Sequence, residues 1–516
     1  MSQKLQPLTV AAPGFLGINT EESPVGQNAG FSSIADNCVI DKRGRIGARK
    51  GYDKVSTNGA TVLGTSRGIE GVFEFTSFGG AVTLFSVGNN KIFHGTSTLT
   101  ACGLPTDYSI SANNWKITSF NNDVYFFQTG HAPLRSAGGS TTLVEISGAP
   151  QANEVLSAFG RLWAADLASD KHTIHVSQLL DGTAWSTGDA FQIDVTQFWP
   201  EGYDEIVSLT EHNGLFIVFG NHSMLLYDGA QGGAGAGTTG APATAGTTIF
   251  LKDTVEGVGC IERDSVQATG NDILFLSNRG VMSLGRLIQE KSLPLRDVSK
   301  NVRTDLMEMS NFESLPVKSV YSAEDAFYLL TFPSSNTTYC FDVRQPMEDG
   351  SFRVTTWSGL VPLAFNELAS DGFYIGLSTG VVKYEGYLDD DATYQMSYFS
   401  NELDFGNPSI IKFLKKFHIT VIGGSNAKST LNWTYDYSDS FSKQQFEFES
   451  SGITGEYNVS EFNTTAEFTG GVDIQTPKVN TTGSGSVVKI GVVSTINNFS
   501  FAIQKIDILA KIGRLV

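Results

Sequence analysis

The chain has 516 residues, 41% of them hydrophobic and 17% charged, and it includes 55 glycines. Its 35 Lys and Arg stand against 53 Asp and Glu, a net charge of −18, which argues against a protein that grips nucleic acid through its phosphates. No apolar run reaches the roughly 18 residues of a membrane-spanning helix, and Cys38, Cys102, Cys260 and Cys340 are too scattered for a zinc site or a disulfide frame.

The opening MSQKLQPLTVAAPGFLG lacks an apolar core of signal-peptide length, so folding in a cytoplasm is expected. Residues 1–58 read as an extended N-terminal arm of turn-rich pieces carrying one basic cluster, Lys42, Arg43, Arg45, Arg49 and Lys50. In so acidic a chain the cluster is either a solvated hairpin around Gly44 or an arm that docks on an acidic partner or a neighbouring subunit. Arg43, Arg45, Arg49 and Lys50 are the candidate contacts to a subunit or adaptor.

From residue 59 a unit recurs, clearest in Glu205–Gly229. It parses as strands Glu205–Thr210, Leu215–Gly220 and Ser223–Asp228, the first two joined by His212-Asn213-Gly214. Asn-Gly between apolar runs signals a hairpin, because a type I′ turn needs two residues at positive φ. Similar middle strands begin near Val82, Val124, Leu162, Leu215, Ile273, Phe327 and Phe373. Their spacing, roughly 40 to 60 residues, is that of β-propeller blades with uneven loops. The fold class is therefore all-β, with a propeller of six or seven blades over 59–396.

Within it, 229–248 reads GAQGGAGAGTTGAPATAGTT, a flexible insertion with nothing to bury. Gly232, Gly233, Gly235, Gly237, Thr238 and Thr239 are the candidates for a mobile loop at one mouth of the propeller, on the rim of a channel. Asp297–Ser310 is the best helix: Val298, Val302, Leu306 and Met309 share a face, and Asp297 or Ser299 could cap it. Asp389-Asp390-Asp391 ends the last blade. Residues 397–516 alternate over longer strands (416–421, 430–437, 445–449, 487–493, 501–509), as in a separate β-sandwich.

Few residues suggest catalysis. Ser177–Trp185, SQLLDGTAW, approaches the sialidase Asp box, but its Asp-Gly pair is mis-spaced and it occurs once. A sialidase also needs converging arginines, a tyrosine nucleophile and a general acid. His172 and His175 sit three apart on a strand, where side chains point to opposite faces, so they do not form a metal pair. Phosphate-loop, nucleophile-elbow and zinc-protease patterns are missing. No enzyme, cofactor or metal site is expected.

The pattern Pro13-Gly14, Gly17-Ile18-Asn19, Ala35-Asp36-Asn37, Asp41 and Gly44-Arg45-Ile46-Gly47-Ala48-Arg49-Lys50-Gly51-Tyr52 resembles the opening of tail nozzle, tail hub and packaged-DNA stabilisation proteins of short-tailed bacteriophages. The resemblance implies a structural virion protein whose propeller follows this opening. It further implies a homohexameric ring assembled in the host cytoplasm and joined to the portal and adaptor, with tail fibres or tail spikes as neighbours. Viral DNA would be retained by the ring and later pass through its lumen without sequence-specific binding. The alternative is a propeller tail protein that binds glycans or hydrolyses them in the sialidase manner.

Overall fold

The computed structural model describes residues 5–515 apart from 65–67, 112–113, 200–203, 233–237, 241–248, 271, 286–296, 369–371, 424–426 and 449–473. The expected loop residues Gly233, Gly235 and Gly237, and the end of the expected strand 445–449, lie outside the described residues.

Seven antiparallel blades follow one another at 69–101, 116–145, 152–194, 206–256, 267–283, 318–357 and 364–384. Among the described residues six of these sheets carry four strands or more, and the fifth blade has three. The fourth blade folds as its sequence dictates: Ile206–His212 pairs with Leu215–Gly220 around Asn213 and Gly214, at φ 52° and 77°. Seven apolar seams close the ring. Phe85 meets Phe126 between blades one and two at 5.4 Å, Trp163 meets Phe216 between three and four at 4.3 Å, and Phe219 meets Phe275 between four and five at 4.9 Å. Blades two and three share a core around Phe127 and Leu162, and blades five and six share one around Leu276 and Tyr328. Phe327 and Tyr384 seal six against seven, and Val381 and Leu84 seal seven against one. A fully buried Phe contributes about 1.5–3 kcal/mol, so the seams, more than the sheets, hold the ring.

The segment 1–58 is distributed among three sheets. Gln6–Ala11 pairs antiparallel with the C-terminal strand Phe501–Leu515, and Cys38–Ile40 with Ile46–Ala48 forms a hairpin on the same strand. Phe31–Asp36 joins the outer strand of blade six, Arg353–Trp357, to the sandwich strand Tyr394–Ser400. Tyr52–Lys54 supplies the fourth strand of blade seven, pairing with Gly380–Tyr384.

The C-terminal region is a two-layer sandwich. One layer is built on Ile410–Gly423 and Phe501–Leu515. The other runs Tyr394–Ser400, Val488–Ile496, Lys428–Tyr435, Ser442–Glu447 and continues through Phe31–Asp36 into blade six as a single ten-stranded sheet. One apolar core accordingly spans blades five and six and the sandwich, from Leu276 to Ile508.

The expected helix forms as a short 3-10 turn, Lys300–Val302, followed by an α-helix, Arg303–Phe312. Val298, Val302 and Leu306 are buried and Met309 packs on the same core. Neither Asp297 nor Ser299 caps the α-helix: Asp297 accepts from the Ser299 amide and hydroxyl. Glu21, from the N-terminal segment, instead takes the amide and hydroxyl of Thr304 in the first turn.

Where Gly51 leads into the closing strand, a Cβ would sit 1.9 Å from the Leu388 carbonyl oxygen. Gly51→Ala should therefore destabilise the protein by about 3 kcal/mol. Gly79→Ala, whose nearest neighbour is 3.8 Å away, should cost far less. Chemical denaturation of both variants checks this.

Candidate functional site at the propeller axis

The first strand of each blade lines the axis, and five blades send charged or polar groups to one point there. Asp264, just before blade five, accepts from Arg263 (2.9 and 2.7 Å) and from Lys318 of blade six (2.6 Å). Lys116 of blade two lies 3.5 Å from Asp264 and 3.1 Å from Glu154 of blade three. Glu154 also accepts from the Leu209 amide of blade four at 3.4 Å. The guanidinium of Arg263 continues to the Asn114 side chain and Trp115 carbonyl before blade two, at 2.6 and 2.9 Å, and to Asn153 of blade three at 2.9 Å.

Arg263 and Glu154 are 5% and 1% exposed, while Lys116 and Asp264 are partly exposed, so this is a largely buried ionic hub. Burial alone would raise the Asp264 carboxyl, but Arg263, Lys318 and Lys116 outweigh it and hold Asp264 well below the usual carboxylate range. Burial lowers the Lys318 ammonium by more than Asp264 restores, and raises Glu154 against the pull of Lys116 and Arg263. Beside the hub, burial and then the charges of Asp264 and Glu313 push Glu262 up to about 7.

Asp264 lines two cavities beside the hub. A cavity of about 260 Å³ on one side is lined by Glu70, Lys116, Gln267, Lys318, Asn366 and Glu367. Another of about 230 Å³ on the other side is lined by residues including Asp166, Lys171, Glu205, Asn221 and Glu262. Chemically the arrangement binds blades to one another. Among the described residues no group of three or more His, Cys, Asp or Glu is placed to hold a metal ion.

The residues singled out by sequence fall elsewhere. Arg43 is exposed, and Arg45 pairs with Asp41 at 2.5 Å in a turn around Gly44. Lys50 lies 3.3 Å from Asp325 and 3.5 Å from Glu324. Arg49 is fully buried and turned inward. It holds both oxygens of Asp389 at 2.8 and 2.7 Å, donates to Asn37 at 2.9 Å, and stacks 4.2 Å over the Tyr394 ring. It is spent within its own chain, so the four candidates do not form one surface.

Gly232 ends a 3-10 turn within blade four, between Ser223–Asp228 and Phe250–Glu256. Thr238 and Thr239 add a fifth strand to the outer edge of blade three, opposite Ile193 and Gln192, at the far side of that blade from the axis. The Asp-box-like stretch is a turn: Asp181 accepts from the Thr183 amide and hydroxyl at 2.8 and 2.6 Å, and Trp185 donates to Gly182 at 2.9 Å. His175 contacts Gln192 at 3.1 Å.

No protein-family model matches the chain, and no curated protein matches it either. Solved structures resemble it as propellers. YCF48 from Cyanidioschyzon merolae is 14% identical, with a TM-score of 0.35 over 63% of this chain and 97% of its own. BamB from Moraxella catarrhalis is 9% identical, with a TM-score of 0.34 over 74% and 99%. The computationally designed Ika8 protein is 11% identical, with a TM-score of 0.35 over 64% and 98%. Likenesses at this level add nothing to the architecture, which rests on the seven sheets themselves.

Asp264→Asn removes the carboxylate shared by Arg263, Lys318 and Lys116 and leaves Glu154 facing three cations, and a loss of about 3–5 kcal/mol in unfolding free energy is expected. A second expectation concerns pH. Because the folded-state pKa of Glu262 is raised from 4.5 to about 7, its contribution is fully present below pH 4.5 and lost as pH rises through 7. Melting temperatures of the wild type and Glu262→Gln, compared from pH 4.5 to 8, should diverge in that window, with the variant falling less.

Proposed function

We propose that this protein is a structural component of a virion, a tail nozzle or hub of a short-tailed bacteriophage. In this reading it forms a ring, most simply a homohexamer, below the portal and adaptor. The ring retains packaged DNA and later lets it pass, with tail fibres or spikes around it.

The observation that carries the reading is where the resembling residues fall. Gly17 runs against blade six, where a Cβ would meet the Val354 carbonyl oxygen at 2.3 Å. Asn19 accepts from the Glu21 and Glu22 amides, beside the helix that Glu21 caps. Asn37, at φ 53°, links Arg49 to Ser358 and to the Gln395 carbonyl. Gly17 and Asn37 thus sit where the N-terminal segment packs on blade six and on the start of the sandwich, and Asn19 beside the helix, so these residues of the pattern serve internal joints of the chain.

The axis bears on the channel. A DNA duplex is far wider than the cavities beside the hub, so on this reading the lumen runs between copies and not through a propeller. A net charge of −18 keeps such a wall from adhering to DNA.

Light scattering on the purified protein, with and without an adaptor from the same phage, tests the reading. A mass several times 55.5 kDa is expected. A monomer under both conditions overturns it.

A further inference from the structure

Charge is divided unevenly along the chain. Residues 397–516 carry ten Lys and Arg against eleven Asp and Glu, so nearly all of the −18 belongs to residues 1–396. Within the near-neutral sandwich the basic groups gather on the outer face of one sheet. On Ile410–Gly423 the inward residues are Leu414, Phe417, Ile419 and Val421, and an irregularity between Leu414 and Lys416 leaves both Lys415 and Lys416 exposed. Lys478 lies opposite His418 on the neighbouring strand, and Lys505 and Lys511 lie opposite Thr420 and Phe413.

Among the described strands of this sheet Asp507 is the only acid, and it is already engaged by Lys505 at 2.7 Å and Thr9 at 2.6 Å. Phe413, 38% exposed, adds an apolar contact. Five lysines on one sheet face, one of them committed to the single carboxylate there, fit an acidic partner.

A matching surface lies on the chain itself. Along the outer edge of blade seven, Asp53 of the closing strand stands with Glu385, Asp390 and Asp391. Lys383 pairs with Glu385 and Lys54 with Asp390, which leaves Asp53 and Asp391 outside those pairs. Burial, followed by the charges of Glu385, Asp391 and Asp390, raises the Asp53 carboxyl, the mark of crowded like charge.

We propose that the basic sheet face, Lys415, Lys416, Lys478, Lys505 and Lys511, docks on the acidic outer edge of blade seven of a second copy of the chain. The two surfaces lie on different parts of the molecule, so the contact is heterologous, and it propagates to a closed ring or an open filament. It deepens the ring-forming reading above and rests on it. Nucleic acid is the less fitting occupant, because a net charge of −18 opposes the approach of a polyanion.

The test is a charge-reversal cycle read by light scattering at low salt. Wild type should assemble, and K415E/K416E and D53K/D391K should each fall to the 55.5 kDa monomer. Mixing the two variants should restore a contact at each junction where the reversed faces meet, giving a dimer or larger. If wild type assembles and K415E/K416E assembles equally well, the docking surface is wrong while the ring reading stands. If wild type is monomeric with and without the adaptor, both fail. A fluorescent DNA duplex titrated against wild type and K415E/K416E should show no binding by either. Binding lost in the variant would assign the face to nucleic acid and overturn the proposal.

Discussion

Arg49 is completely buried, and its guanidinium fastens three parts of the chain to one another at a single point. One carboxylate, Asp389, lies between the last blade and the sandwich. One amide, Asn37, belongs to the N-terminal segment, and one ring, Tyr394, begins the sandwich sheet. A buried ion pair adds little net stability compared with a well-packed apolar pair, but losing one partner strands a charge without water. Bidentate geometry and the Asn37 bond remove that danger and fix one arrangement. The closing strand Tyr52–Lys54 starts only three residues later, so its entry into blade seven is set by this clamp. The stack of Phe373 and Tyr384, 4.7 Å apart at 16°, then packs beneath that strand.

The hub at the axis works on the same principle at a different scale. Propeller seams are apolar and non-directional, so they resist separation of blades more than sliding between them. Charge-assisted bonds from Arg263, Asp264, Lys318, Lys116 and Glu154 are directional, and they fix five blades in height and rotation about one centre. The three-stranded fifth blade benefits most, since Arg263 and Asp264 immediately precede its first strand. Its outer edge is also occupied: the Val281 amide donates to the Ser299 hydroxyl, and its carbonyl accepts from Val298.

Some of this was legible in the sequence, for identifiable reasons. Asn213-Gly214 announced a hairpin because few dipeptides tolerate that turn, and LFIVF announced a middle strand because both faces are covered. The helix showed in the spacing of Val298, Val302 and Leu306. What was hidden is short or distant. Gly17–Ile18, Cys38–Ile40 and Ile46–Ala48 are two or three residues long, too brief to show alternation, so the first 58 residues read as an arm. The basic cluster could not reveal that Arg49 faces inward while Arg43 faces out, because three-residue strands give no reliable phase. Lys116, Glu154, Asp264 and Lys318 are scattered across 203 positions of a chain rich in charges, and only ring closure brings them together. Asp389-Asp390-Asp391 lies between blade seven and the strand Tyr394–Ser400, and its first residue pairs with Arg49.

The pairing of Gln6–Ala11 with Phe501–Leu515 has a consequence for how the protein is made. Synthesis delivers the early strands first, yet their partners follow about 500 residues later, and contacts so far apart in sequence form slowly. A chain that stops short of Phe501 leaves Gln6–Ala11 and Ile46–Ala48 without the strand between them and exposes the apolar side of Ile410–Gly423. A copy truncated before Phe501 therefore cannot present the finished surfaces of this sheet.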